Sequence, residues 1–255
     1  MGSNAAVQIK ALGRCHVNAA ERLIVALDFD DPRKAERLVD MLGTMVSCYK
    51  VGYHLQLTSG YDALVDSLVQ RGKRVLLDAK VCDIKDVVKA AVNGAAKRGA
   101  SFLTIHGNGD VTDAALQAAI AARGNSNLKL LLVTVLTSMD DLDLGSIGYR
   151  TSAMHEAVAR ARRALTFRFD GVICSGREAS AIRELAGDPA FIIATPGIRP
   201  KGSPRGDQKR IATPAEAVSG GSDYLIVGRP IIKAADPALA ASRIIDEMQA
   251  AFDDR

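Results

Sequence analysis

Eight short apolar runs recur along this chain with helical stretches between them, and that alternation restricts the fold more than any other feature. The runs are LIVALDF (23–29), VSCYKVG (46–52), RVLLDAK (74–80), FLTIHG (102–107), LKLLLVTVL (128–136), GVICS (171–175), FIIATPG (191–197) and YLIVGRP (224–230). Each is near-continuously apolar rather than alternating, which is how strands buried on both faces of a parallel sheet read. Between them, Ala35, Leu38, Val39 and Leu42 fall at i, i+3, i+4 and i+7, one face of a helix, and Tyr61, Leu64, Val65 and Leu68 repeat that spacing. Asp31-Pro32 and Thr213-Pro214 place a capping residue before a proline at the first helical position. Eight strand–helix alternations in 255 residues match an α/β chain folded as one (β/α)8 TIM barrel. A doubly wound open sheet would want a glycine-rich turn after the first strand, and DFDDP (28–32) holds no GxGxxG.

No linker rich in Gly, Ser or Pro divides the chain, so the barrel is expected over 21–255 as a single domain. Residues 1–20 read as an N-terminal extension, partly vector-derived (Met-Gly-Ser-Asn-Ala) or flexible. The net charge of +4, from 33 basic and 29 acidic residues, is too even for a dedicated nucleic-acid binder but leaves room for a small anionic ligand. With no Trp and 4% aromatics, platforms for stacking single strands are not expected. No apolar run approaches the roughly 18–20 residues of a membrane span. No secretory signal is present, so a cytoplasmic, membrane-free protein is expected. Cys15, Cys48, Cys82 and Cys174 form no CxxC pair and read as free thiols in a reducing compartment. His16, His54 and His155 show no metal spacing.

Charges interrupt the strand ends. Asp28 follows the first run, Lys50 lies in the second, Asp78 and Lys80 end the third, and Asp83 comes three residues later. At the same end of three consecutive strands these side chains converge on one volume, where alternating charges compensate one another's desolvation. Asp78 and Lys80, two apart on a strand, point to the same face. A structural ion-pair network is the plainer reading of the same residues. His106 ends the fourth run, where packing at the rim is the simpler role, and Thr134, Thr137 and Ser138 offer hydroxyls after the fifth. At the far end, GIRPKGSPRGDQKR (197–210) brings Arg199, Lys201, Arg205, Gln208, Lys209 and Arg210 together among glycines, and IVGRP (226–230) adds Gly228 and Arg229. These loops follow strands seven and eight, where barrels frequently bind phosphate.

The pattern resembles the orotidine 5′-phosphate decarboxylase family. The resemblance runs in family order through LIVALD (23–28), YKVGY (49–53), LLDAKVCDI (76–84), VTVLTS (133–138), GVICS (171–175), TPGIRPKG (195–202), GDQKRIATP (206–214) and DYLIVGRPI (223–231). It implies a homodimeric (β/α)8 barrel that needs no cofactor and no metal and acts on a nucleoside monophosphate in pyrimidine synthesis. Carried over by motif, Asp28 would hold the ribose and Lys50 its hydroxyls and the charged network. Asp78 would sit beside the substrate carboxylate, Lys80 would donate the proton, and Asp83 would reach in from the partner subunit. Thr137 would face the pyrimidine, and Arg199, Gln208, Gly228 and Arg229 would hold the phosphate. Two segments depart from the family: Lys85-Asp86-Val87 places Val87 where the family has a ribose-contacting Thr, and GNGD (107–110) replaces an Ala-rich or Gly-Gly turn.

Two other functions share part of this pattern. Metal-dependent sugar-phosphate decarboxylases and aldolases of the same superfamily keep a DxKxxD element, but they resemble this chain less at strand two, where they place a magnesium-binding Glu and this chain has Lys50. A nucleotide-binding homologue without turnover is the other alternative. Loss of CO2 from a pyrimidine ring leaves a carbanion for which most decarboxylases recruit a cofactor as electron sink. Here the resemblance assigns that task to a fixed ammonium, Lys80, which stabilises charge growing in the transition state.

Overall fold

The computed structural model describes residues 17–255. Cys15, His16 and most of the expected extension lie outside the described residues. Eight parallel strands, one on each apolar run, close into a barrel: β1 (Leu23–Ala26), β2 (Cys48–Gly52), β3 (Arg74–Val81, one residue past its run), β4 (Phe102–His106), β5 (Lys129–Val133), β6 (Gly171–Ile173), β7 (Ile192–Thr195) and β8 (Tyr224–Val227). Closure is by β8 on β1, with Ile24 opposite Ile226. The outer ring comprises α1 (Pro32–Leu42), α2 (Tyr53–Gln56), α3 (Tyr61–Gln70), α4 (Lys85–Lys97), α5 (Asp113–Arg123), α6 (Asp141–Ser146), α7 (Ala153–Thr166), α8 (Ala179–Ala186), α9 (Pro214–Ser219), α10 (Arg229–Ile232) and α11 (Pro237–Asp253).

Local chemistry starts these helices where the sequence reading places them. Asp31 caps α1 by accepting from the Arg33 N–H, and Pro32 supplies its first residue. The face Ala35, Leu38, Val39 and Leu42 is buried as the spacing predicts. Thr213 and Glu216 form a reciprocal capping box on α9. Ala19, within the described end of the extension, is buried, and the Gln249 amide of α11 bonds Ala19 N–H and Val17 carbonyl.

The apolar side chains form two layers. Outward-facing residues of the strands pack against the helices in a continuous cluster that includes Val25, Tyr49, Val75 and Leu225. Inward-facing residues fill the barrel with Ile24, Cys48, Leu76, Phe102, Leu131 and Tyr224. At the lower end Phe102 and Tyr224 meet edge to face at 5.5 Å, and the Arg22 guanidinium covers the Tyr224 ring at 4.8 Å. The barrel is therefore plugged at its base and open at the strands' C-terminal ends. No helix among the described residues is long and apolar enough to cross a membrane.

Candidate active site

Continuing the inward-facing positions by two residues turns the barrel filling into charge. After Ala26 comes Asp28, after Cys48 Lys50, after Leu76 Asp78 and after Phe102 Thr104. The charges join in one chain. Lys50 Nζ lies 2.9 Å from Asp28 Oδ1 and 3.3 Å from Asp78 Oδ2, and Lys80 Nζ lies 2.7 Å from the same Asp78 oxygen. The Thr104 hydroxyl donates to Asp78 Oδ1 at 3.0 Å. Burial alone would raise the Asp78 carboxyl, but the Lys50 and Lys80 ammonium groups outweigh it and hold the pKa below the ordinary carboxylate value. Burial alone would lower Lys50; Asp78 and Asp28 reverse that and raise it. Both are therefore charged at neutral pH.

Lys80 is set by backbone irregularity. Leu77 pairs with Leu103, but Val81 pairs with Ile105, so β3 spends four residues where β4 spends two. Within that bulge Lys80 adopts φ +41°, in the left-handed region that non-glycine residues rarely enter. Its N–H donates to the Thr104 hydroxyl at 2.8 Å. Thr104, fully buried, thus holds both the Asp78 carboxylate and the backbone of Lys80. Sequence reasoning passed over Thr104; the signal was a lone hydroxyl in the apolar run FLTIH.

This chain of charges floors a cleft of about 230 Å³ that runs up to the loops after β5, β7 and β8. Asp28, Lys50, Asp78, Lys80, Thr137, Ser138, Arg199, Gln208, Gly228 and Arg229 all line it, against apolar walls that include Val133, Ile173 and Ile226. Arg229 is paired with Asp207, and Thr137 with Gln208. The Gly228 backbone passes so close to Asp28 that a Cβ there would lie 3.2 Å from its carboxylate oxygen.

The basic loop divides into separate jobs. Arg199 spends three of its five N–H donors on its own loop, at the carbonyls of Ile198, Pro204 and Arg205, while still facing the cleft. Lys209 pairs with Asp140 and Asp143, and Arg210 is buried against Glu178. Asp83 does not line the cleft; it is exposed and accepts from the Ile84 N–H. Val87, on the first turn of α4, is also exposed. His106 stays outside the cleft lining and accepts from the Asn108 N–H, and burial lowers its pKa. Thr134 is buried and donates to the Ile173 carbonyl. Among the described residues no His, Cys, Asp and Glu side chains gather into a metal-holding group.

The match to known proteins covers the barrel. A family model described as orotidine 5′-phosphate decarboxylase / HUMPS family matches residues 21–244. Orotidine 5′-phosphate decarboxylase of Rhodopseudomonas palustris is 47% identical over 231 residues, covering 91% of this chain and 95% of that protein. The protein of the same name from Nitrobacter winogradskyi is 48% identical over 230 residues, covering 90% and 93%. The crystal structure of orotidine 5′-phosphate decarboxylase from Lactobacillus acidophilus superimposes with a TM-score of 0.76 at 34% identity, covering 89% of this chain and 99% of that one. With the barrel, the strand-end charges and these relatives in agreement, the chain belongs to the orotidine 5′-phosphate decarboxylase / HUMPS family.

Proposed function

We propose that this protein decarboxylates orotidine 5′-phosphate to uridine 5′-phosphate and CO2 in pyrimidine synthesis, in the cytoplasm and as a homodimer. The observation that carries the proposal is the alternating chain Asp28–Lys50–Asp78–Lys80 in a cleft whose lining also presents Gln208, Gly228 and Arg229. A nucleotide laid along that cleft puts its phosphate on Arg229 and its ribose near Asp28 and Lys50. The ring carbon that bears the carboxylate then faces Lys80.

As the C–C bond breaks, its electron pair stays on the ring carbon and CO2 departs past Asp78. The Lys80 ammonium stabilises that growing negative charge and then gives the carbon its proton. Asp78 holds the ammonium in place at 2.7 Å, and the apolar wall of Val133, Ile173 and Ile226 keeps the field strong. Each tenfold in rate needs about 1.36 kcal/mol, so phosphate binding remote from the reacting carbon also has to contribute, by fixing the substrate and closing the 198–212 loop. Asp83, projecting outside its own cleft, would complete the site of the partner subunit.

The test is the fall in absorbance of orotidine 5′-phosphate on addition of purified protein in the presence of EDTA. Turnover under EDTA is the expected result. Activity abolished by EDTA would instead favour the metal-dependent sugar-phosphate decarboxylase or aldolase reading. Binding of uridine 5′-phosphate without any turnover would make the chain a nucleotide-binding homologue.

A further inference from the structure

The decarboxylation chemistry makes no use of the buried ion pair between Arg210 and Glu178, whose residues are 5% and 1% exposed. Arg210 lies two residues beyond Gln208 in the loop after β7, and Glu178 immediately precedes α8 in the loop after β6. The Arg210 guanidinium reaches across to the loop after β5. Nε donates to the Met139 carbonyl at 2.9 Å, and one terminal nitrogen donates to Val135 at 2.8 Å and Leu136 at 2.9 Å. Its other terminal nitrogen takes one Glu178 oxygen, while the second Glu178 oxygen accepts from the Ser175 N–H at 2.8 Å. The backbone N–H groups of Lys209 and Arg210 both donate to the Thr137 carbonyl at 3.1 Å. One guanidinium therefore ties together three loops at the mouth of the barrel.

Two of those loops meet in the lining of the cleft: Leu136 and Thr137 come from the loop after β5, Gln208 from the loop after β7, and the Thr137 side chain bonds that of Gln208 where the two join. Buried carbonyls outside a sheet need donors, and the five N–H groups of a planar guanidinium can serve several of them in a fixed geometry. A buried ion pair is weak evidence for stability, because apolar residues of similar volume often serve as well. Apolar residues could not, however, hold the carbonyls of 135–139 at a fixed offset from Gln208. We propose that Arg210, oriented by Glu178, is a positioning residue that sets the register between the base end and the phosphate end of the nucleotide cleft. The proposal rests on the nucleotide reading above.

The experiment compares wild type, R210K and E178Q by titration calorimetry with two probes, ribose 5-phosphate and uridine 5′-phosphate, alongside thermal unfolding. Ribose 5-phosphate lacks the base and so makes no use of Leu136 and Thr137; its affinity should stay within about twofold, because Asp28, Lys50, Gly228 and Arg229 are untouched. Uridine 5′-phosphate also needs the base end in register, so both variants should lose at least about tenfold, consistent with disturbing hydrogen bonds to a charged group. The ratio of the two dissociation constants should collapse whatever happens to the melting temperature. An unchanged ratio, or an equal loss for both probes, overturns the proposal. A wild type that does not prefer uridine 5′-phosphate overturns the nucleotide reading and this proposal with it. If R210K fails to fold, the near-isosteric E178Q decides by the same ratio.

Discussion

At the scale of single residues, Lys80, the proposed proton donor, also concentrates strain. A non-glycine residue at φ +41° costs roughly 1–2 kcal/mol, and the bulge in β3 with the bond from Lys80 N–H to Thr104 holds it there. Lys80→Ala removes both the cation and the proton, so kcat should fall at least about a thousandfold, toward the upper end of what loss of one preorganised electrostatic group costs. Uridine 5′-phosphate should still bind; a variant keeping more than a few per cent of its activity would refute the role. Thr104→Val keeps the shape and deletes two hydrogen bonds, one to a charged carboxylate. Steady-state kinetics should show kcat lowered by roughly tenfold or more with KM little changed, since the loss falls on the reacting end. Tyr49 carries the opposite kind of polar group. Its hydroxyl is buried without a hydrogen-bond partner among the described residues, and burial pushes its pKa up. An unpaired buried hydroxyl costs roughly 1–3 kcal/mol, so Tyr49→Phe should leave the melting temperature unchanged or raise it by a few degrees in calorimetry.

At the scale of elements, strands were more legible than loops. Every apolar run holds its strand, because burial on both faces leaves little choice of residue. Asp28, Lys50 and Asp78 could be read as converging because each extends an inward-facing apolar position by two residues. Thr104 follows the same rule but was hidden, since a Thr in a strand is ordinary in sequence terms. The offset of β4 against the bulge was equally invisible, for no residue type announces it. In the 198–212 loop composition misled in part. Charge alone cannot tell Arg229, which faces the cleft, from Arg210, which is buried as a tie, or Lys209, which pairs with Asp140 and Asp143. Glycine in that loop has a sharper meaning. Gly206 sits at φ +63°, and a Cβ there would collide with the Arg229 guanidinium. Gly206→Ala should therefore both strain the loop, by roughly 1–2 kcal/mol, and push Arg229 off its position. The expected readout is a KM for orotidine 5′-phosphate raised by roughly tenfold, while binding of uridine, which lacks the phosphate, is unaffected. Equal weakening of both ligands would show general loosening instead.

At the scale of the whole molecule, the question is whether one barrel holds a whole site. Asp83 belongs to the DAKVCD stretch that supplies Asp78 and Lys80, yet it stands exposed beyond β3 and outside its own cleft. Tyr53, Leu57, Ile84 and Val87, from the loops and helices that follow β2 and β3, are exposed apolar side chains at the same end of the barrel. An exposed apolar group beside a projecting carboxylate suits a two-fold interface, in which the same patch meets itself and each site borrows one Asp from the other chain. Under that arrangement Lys80→Ala and Asp83→Ala should each be severely impaired alone. Refolding an equimolar mixture of the two should create heterodimers with one site carrying wild-type Lys80 from one chain and wild-type Asp83 from the other. If chains mix at random, half the dimers are mixed and each has one intact site, so activity should return to about a quarter of wild type. The measurement is the initial rate after exchange, with mixing verified by a mass tag on one variant. Recovery no greater than the mean of the separate variants, with exchange verified, would place Asp83 in the service of its own barrel or of neither. In the expected case the unit of catalysis is the dimer, because each barrel alone would hold Lys80 without the carboxylate that completes its site.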